Sequence, residues 1–402
     1  MIHRAHHHAR GLIIPGIGCY APRVRILHFD FDDLGNPWGG GQARRTREVN
    51  RSLASTRGWE ITVVTGTYRG GVPHAEPVTT GRLRYRRLGA GPFPLNILSF
   101  VALQPLMARL VAHDLLVEDF TTPVGPTLAP RWSRAPVIGS AQFLFANQMA
   151  RKYRLPFDRL ASALLPAYRH LIALTDHGAT TLRRASPRAT VTVIPQGLAP
   201  GDFAVPGSGD AMGAHVLFIG RLDRHQKGID TLLEAWARMS PSTRPPLVIA
   251  GDGRERDALR ALTTTLGLGH AVRFAGRVAG EPKRALFRDA RIVCLPSRYE
   301  TYGIAAIEAL AAERALVATD IPEFREVASQ GGTLVPPDDP EALAHACLDL
   351  WHDDDRRLRL ARRGRAAVAG HTWDAVATAQ GDFYEAVMRG SLARGSVPSK
   401  NR

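Results

Sequence analysis

Two doubly wound α/β domains facing each other across a cleft are the fold this sequence predicts. Three observations carry it. The chain has 402 residues, more than one hydrophobic core ordinarily supports. Short apolar runs alternate with helix-period segments throughout, which is the pattern of parallel sheets covered by helices. A stretch rich in glycine and proline, from Pro195-Gln196-Gly197 to Pro206-Gly207-Ser208-Gly209-Asp210, separates two halves with the same alternation.

The elements follow in order. In the first half, residues 24–29, 61–65, 115–117, 137–139, 171–174 and 191–194 are short apolar runs that read as buried strands. Amphipathic segments at 43–55 and 157–168 read as helices between them. In the second half, residues 216–220, 247–250, 272–275, 292–295, 316–318 and 333–335 read as strands, separated by helices such as 229–239, 255–266 and 340–351. A last helix at 373–388 is expected to cross back onto the first domain. The expected organisation is a flexible leader (1–22), an N-terminal domain (23–198), a C-terminal domain (199–371), the crossing helix (372–388) and a disordered tail (389–402).

Composition limits the function classes. Hydrophobic content of 45% and charged content of 22% are ordinary for a soluble globular protein. The most apolar region, 95–117, is interrupted by Arg109, His113 and Asp114, which argues against a membrane span. A net charge of +15 points to an anionic partner: a nucleotide diphosphate, a phospholipid surface or nucleic acid. Nucleic acid is disfavoured, because zinc-finger spacing, an aromatic-glycine RNA signature and a continuous basic helix are all missing. Cys19, Cys294 and Cys347 are scattered and suggest neither a disulfide framework nor a metal site. His6-His7-His8 falls in the polar leader, which lacks the apolar core of a signal peptide.

The most informative run is Pro296-Ser297-Arg298-Tyr299-Glu300-Thr301-Tyr302-Gly303-Ile304, ending at Glu308. A buried strand leads into a loop with one carboxylate, then a glycine, then a helix with a second carboxylate. Free backbone N–H groups and the positive end of a helix dipole therefore lie at a sheet edge, a place that receives phosphate. Glu300 can reach a sugar on one side, and Glu308 can grip a ribose diol on the other. Four further places support a diphosphate site. Gly39-Gly40-Gly41 follows the first strand and admits close backbone approach. Gly220-Arg221 and Lys227-Gly228 bring two cations to a strand end, where charge-assisted bonds to phosphate form. Gly251-Asp252-Gly253 and Gly276-Arg277-Val278 close two more strands on the same rim.

Together with Glu308-Ala309 and Gly332…Leu334-Val335-Pro336, these motifs resemble the family 4 retaining glycosyltransferases of the GT-B fold (glycosyl transferases group 1). The likeness spans roughly residues 24–388 and is most specific over 216–337. The resemblance implies that Arg221 and Lys227 hold and stabilise the departing diphosphate. It makes Glu300 the ligand of the donor sugar, Gly303 and Ile304 phosphate-binding backbone, and Glu308 the ribose ligand. Gly40, Gly41, Gly220, Gly251, Arg277, Val278 and Tyr302 complete the implied donor site. No cofactor or metal is expected, since cationic side chains and a helix dipole would replace a divalent ion. The chain departs from the family pattern at Glu313 and Ala315, where relatives have a glycine and then a proline. It departs again after 137–139, where Gln142 stands for a histidine that helps orient the donor sugar. Glu118 and Asp119 are alternative cleft carboxylates, with loop capping as their other reading.

The expected activity is transfer of a sugar, with retention, from a UDP- or GDP-linked donor to a small-molecule or lipid-linked acceptor. The alternatives are a non-catalytic nucleotide-sugar-binding protein and a nucleotide-sugar 2-epimerase. A cytoplasmic location is expected, with peripheral contact at the inner membrane face as a second expectation drawn from region 92–110 and the basic charge.

Overall fold

The structure is a computed structural model that describes residues 23–32, 41–67, 81–92, 94–120, 125–141, 157–203 and 213–390. The expected leader (1–22), Gly40, Gln142 and the tail beyond residue 390 lie outside the described residues.

Among the described residues, thirteen strands form two wholly parallel sheets. In the first, β1 (Arg25–Phe29), β2 (Glu60–Gly66), β3 (Leu83–Leu88), β4 (Leu115–Asp119), β5 (Val137–Ala141), β6 (His170–Ala173) and β7 (Thr190–Val193) lie in the order β3-β2-β1-β4-β5-β6-β7. In the second, β8 (His215–Ile219), β9 (Leu247–Ala250), β10 (Val272–Gly276), β11 (Ala290–Leu295), β12 (Ala315–Thr319) and β13 (Gly332–Val335) follow the order β10-β9-β8-β11-β12-β13. Each order reverses beside its first strand, between β1 and β4 and between β8 and β11. Ligands bind at such reversals, because the flanking connections leave to opposite faces and open a crevice at the strand ends.

Strand burial explains why the apolar runs were legible. β4, β5, β11 and β12 are buried along their whole length, so each carries a short apolar run, such as residues 115–117 or 292–295, with little polar alternation. One C-terminal core surrounds the second sheet. Two clusters cover the faces of the first, and one of them contains Trp373, Val376, Phe383, Tyr384 and Val387 of the last helix, Trp373–Met388. That helix packs beside helix Gly41–Thr56, and the chain reaches it through a bridge between Leu198 and Thr372.

Two elements differ from the sequence reading. β3 was not expected: Arg84, Arg86 and Arg87 interrupt its apolar pattern, and its strand character comes from a six-residue parallel register with β2 at the sheet edge. The helix expected over 157–168 stops at Leu164 and continues as a single 3-10 turn, Leu165–Ala167. Pro166 has no N–H to donate to the preceding turn, which favours a break there, and the extended backbone of Tyr168 then carries its ring into the core. The apolar region from residue 95 is helix Leu95–Leu110 followed by β4. Among the described residues no helix is long and apolar enough to cross a membrane. Cys294 and Cys347, far apart in sequence, are buried thiols whose sulfurs lie 3.8 Å apart.

Candidate active site

The site is built on the β8/β11 reversal. β8 ends at Ile219, and Gly220 follows, its N–H bonded to the Ala250 carbonyl at 3.0 Å. Gly251 packs so closely here that a Cβ on it would lie 1.8 Å from the Gly220 carbonyl oxygen, and its φ of 144° is also one that only glycine adopts easily. The glycine pair lets two strand ends touch. Arg221 is exposed at the rim. Asp223 caps the short turn Arg224–Lys227, which ends at Gly228 in the left-handed region. A Cβ at Gly228 would lie 2.0 Å from the Pro296 carbonyl oxygen, so this turn lies directly on the loop after β11.

Arg298 fastens the two segments. Its backbone N–H donates to the Gln226 carbonyl at 2.8 Å, and its guanidinium bonds Asp230, Asp338 and the Arg224 carbonyl. The result is a defined place for Lys227, whose Nζ donates to Glu300 Oε1 at 2.5 Å. Ser297 Oγ donates to the same oxygen at 2.8 Å, and the Ser297 carbonyl in turn accepts from Thr319. Glu300 is buried, and its position is set by these contacts rather than by solvent.

Gly303 starts helix Ile304–Ala311 with φ 81° and ψ 53°, and a Cβ there would lie 2.5 Å from the Phe324 ring. The first N–H groups of this helix have no intrahelical partner, so they face the crevice as donors. Across the crevice, helix Gly41–Thr56 of the N-terminal domain begins at Gly41, where a Cβ would lie 2.0 Å from Ile304 Cδ1. Two helix starts, one from each domain, therefore converge on one point.

Glu308 lies one turn into its helix and is buried. Lys283 Nζ donates to Glu308 Oε1 at 2.5 Å, and Arg44 Nη1 approaches the same oxygen at 3.6 Å from the other domain. Arg44 also reaches Asp202 at 3.1 Å. A Lys–Glu pair thus stands on each side of Gly303: Lys227–Glu300 and Lys283–Glu308. Arg277 is exposed just after β10 and Val278 packs on the C-terminal core, which leaves their backbone at the rim. Tyr302 is buried beneath the loop, bonded to the backbone of Gln196, and its hydroxyl is pushed upward in pKa by burial.

The N-terminal carboxylates separate. Asp119 ends β4, Asp30 follows the adjacent strand β1, and the two are bridged by the Thr46 hydroxyl, at 2.9 and 2.7 Å. His28 Nε2 lies 3.1 Å from Asp119, and burial with Asp119 as neighbour holds Asp30 well above the usual carboxylate range. Glu118 points to the opposite face. It is 1% exposed, accepts from the Tyr168 hydroxyl and from Thr127 Oγ1 at 3.1 Å, and its carboxyl is pushed up to about 7 by burial. The cleft expectation for Glu118 is corrected accordingly: side chains on neighbouring strand positions alternate faces, and Glu118 caps the loop at Thr127 from inside the core.

Sequence reasoning missed four contributors. Lys283 and Arg44 meet Glu308 from positions with no motif. Ser297 was read only as part of a run. Arg45, fully buried, bonds the carbonyls of Pro195 and Ile194 and the side chain of Gln380, and so ties the interdomain connection to the last helix.

Two parallel sheets with paired reversals, glycine-lined strand ends and convergent helix starts define a GT-B protein. Residues 39–201 match the family model "Glycosyltransferase Family 4", and residues 213–353 match "Glycosyl transferases group 1". The chain belongs to this glycosyltransferase family. It is 38% identical over 180 residues to a phosphatidyl-myo-inositol mannosyltransferase of Mycobacterium leprae, covering 44% of this chain and 47% of that one. The chain spans about half the length of the curated relatives it matches. In fold it is similar to sucrose-phosphate synthase from Thermosynechococcus elongatus, with TM-score 0.78 and 24% identity over 92% of this chain and 100% of the other. It is also similar to Anabaena HepE, crystallised with UDP and glucose, with TM-score 0.68 and 20% identity over 90% of this chain and 99% of the other.

Proposed function

We propose that the protein transfers a hexosyl group, with retention and without a metal ion, from a UDP- or GDP-sugar to a hydroxyl of a small-molecule or lipid-linked acceptor. The observation that carries the reading is the convergence of the Gly41 and Gly303 helix starts beside Arg221 and Lys227. A diphosphate at that point meets backbone N–H donors, the exposed Arg221 guanidinium and Lys227, which Glu300 shares, while Glu308 is held by Lys283 with Arg44 nearby.

The chemistry follows from those charges. The bond between the anomeric carbon and the β-phosphate oxygen breaks, and its electron pair stays on the phosphate. Arg221, Lys227 and the Ile304–Ala311 helix start stabilise that developing charge, which is the largest contribution such a site makes. Glu300, fixed by Lys227 and Ser297, is placed to hold donor hydroxyls rather than to attack carbon. With no protein nucleophile, retention requires the acceptor oxygen to arrive on the face the phosphate leaves, and the phosphate oxygen takes the acceptor proton. Glu308 binds the ribose diol, exchanging its contact with Lys283 for hydroxyl donors. The relative named for a phosphatidyl-myo-inositol acceptor supports the lipid-linked arm and a mannosyl donor.

The test is calorimetry with UDP, GDP, ADP and TDP and their sugar conjugates, with and without a chelator. Tight binding to one nucleotide family, indifferent to chelator and weakened about ten-fold or more by Glu308→Gln, is the expected result. Binding to none of them in folded protein refutes the donor site. Donor binding without turnover on any acceptor would make the chain a nucleotide-sugar-binding protein.

A further inference from the structure

We infer that helix Leu95–Leu110 and the adjoining edge strand β3 form a docking surface for an anionic phospholipid bilayer. The inference deepens the lipid-linked arm of the proposed function by naming the surface on which the acceptor would be met.

Five of the seven large exposed hydrophobic residues among the described residues lie on this one helix: Leu95, Leu98, Leu103, Leu106 and Leu110. Leu98 is 62% and Leu110 69% exposed, which a helix buried in a core would not leave. At 100° per residue the outward positions 95, 98, 102, 103, 106, 109 and 110 fall within an arc of about 140°. The opposite arc carries Phe100, Ile97, Val101 and Met107, which pack on the N-terminal core. The helix is therefore apolar on both faces, and an apolar face turned outward requires a second apolar medium. Sixteen residues give a length of about 24 Å, short of the ~30 Å hydrocarbon core, so the helix lies in the interface plane rather than across it.

Charge selects the kind of surface. Side chains alternate along β3: Leu83 and Tyr85 pack in one cluster, and Leu88 packs in the other, with helix Leu95–Leu110. Arg84 and Arg86 share the Leu88 face and are exposed, so they stand on the same side of the sheet as the leucines. Arg109 extends the basic rim from the last turn of the helix. Leucines flanked by guanidinium groups match acyl chains beneath phosphate headgroups, and the net charge of +15 favours the same encounter.

The test is flotation of the full-length protein with vesicles of phosphatidylcholine alone and of phosphatidylcholine with phosphatidylglycerol, read without any sugar donor. The protein is expected to float with the anionic vesicles and not with the neutral ones. Leu98→Ser with Leu106→Ser should lower the partition about ten-fold or more. Arg84→Gln with Arg86→Gln should weaken it in a salt-dependent way. Nucleotide affinity and melting temperature should be unchanged in both variants, because these residues are exposed and distant in sequence from the donor motifs. Failure of the wild type to bind anionic vesicles, or equal binding by the leucine variant, overturns the inference while leaving the donor reading to its own calorimetric test. A wild-type dimer that the leucine substitutions convert to a monomer without changing vesicle partition would assign the face to self-association and also overturn it.

Discussion

Arg221 is exposed at the strand end, so Arg221→Ala tests chemistry with little disturbance of the fold. Turnover is expected to fall by about two orders of magnitude or more, as for loss of one stabiliser of developing charge, with an unchanged melting temperature. A near-normal rate would place the diphosphate elsewhere. Glu118 gives a different residue-scale test. Its folded carboxyl titrates at about 7, above its ordinary value near 4.5. Between those pH values the unfolded chain releases the proton while the folded chain keeps it. Stability is therefore complete below about pH 4.5 and is lost as pH rises through about 7, by roughly 3 kcal/mol. Glu118→Gln removes this loss. Urea denaturation of both proteins should show the variant gaining on the wild type as pH rises from 4.5 to 8 (roughly that window), and a pH-independent difference would contradict the assignment.

At the scale of elements, Gly303 shows how the loop after β11 is made. The left-handed φ that turns the chain into helix Ile304–Ala311 is also where a Cβ would strike Phe324. Gly303→Ala is expected to destabilise by about 2–4 kcal/mol, from backbone strain plus overpacking, and to weaken nucleotide binding because the helix start moves. Denaturant midpoints and calorimetry on one sample check both. A stability change below about 0.5 kcal/mol would mean that the turn relaxes freely. The same scale explains what was readable and what was not. β4, β11 and β12 announce themselves because both of their faces are buried. β3 does not, because the alternation of Leu83 and Tyr85 with Arg84 and Arg86 is short and breaks at Arg87, and its ladder to β2 is what makes six residues a strand.

For the whole molecule, the contact to test is Glu326. From helix Pro322–Ala328 of the C-terminal domain its carboxylate accepts the backbone N–H groups of Asp176 and His177, at 2.7 and 2.6 Å. Those residues open helix Asp176–Ala185 of the N-terminal domain, so one domain caps a helix of the other. Glu326→Ala should cost about 1 kcal/mol, the value of a lost cap. It should also raise the radius of gyration measured by small-angle scattering, because this contact is one of those holding the crevice closed. Identical scattering would show that Arg44, Arg45 and the Trp373–Met388 helix suffice.

The sequence by itself determined the two-domain α/β plan, the family, and the local places of Gly220, Arg221, Lys227, Glu300, Gly303 and Glu308 at strand ends, turns and a helix start. These features are local: each is a strand, turn or helix start whose residue types are set by backbone conformation and burial within a few positions. Only the tertiary structure decided that Lys227 bonds Glu300, that Lys283 and Arg44 close on Glu308 from two different domains, and that Glu118 turns into the core while its neighbour Asp119 meets Asp30 and His28. Those partners lie tens to hundreds of positions apart. Which face a strand residue takes, and which helix start it meets, is set by sheet order and domain packing, and no local spacing encodes either.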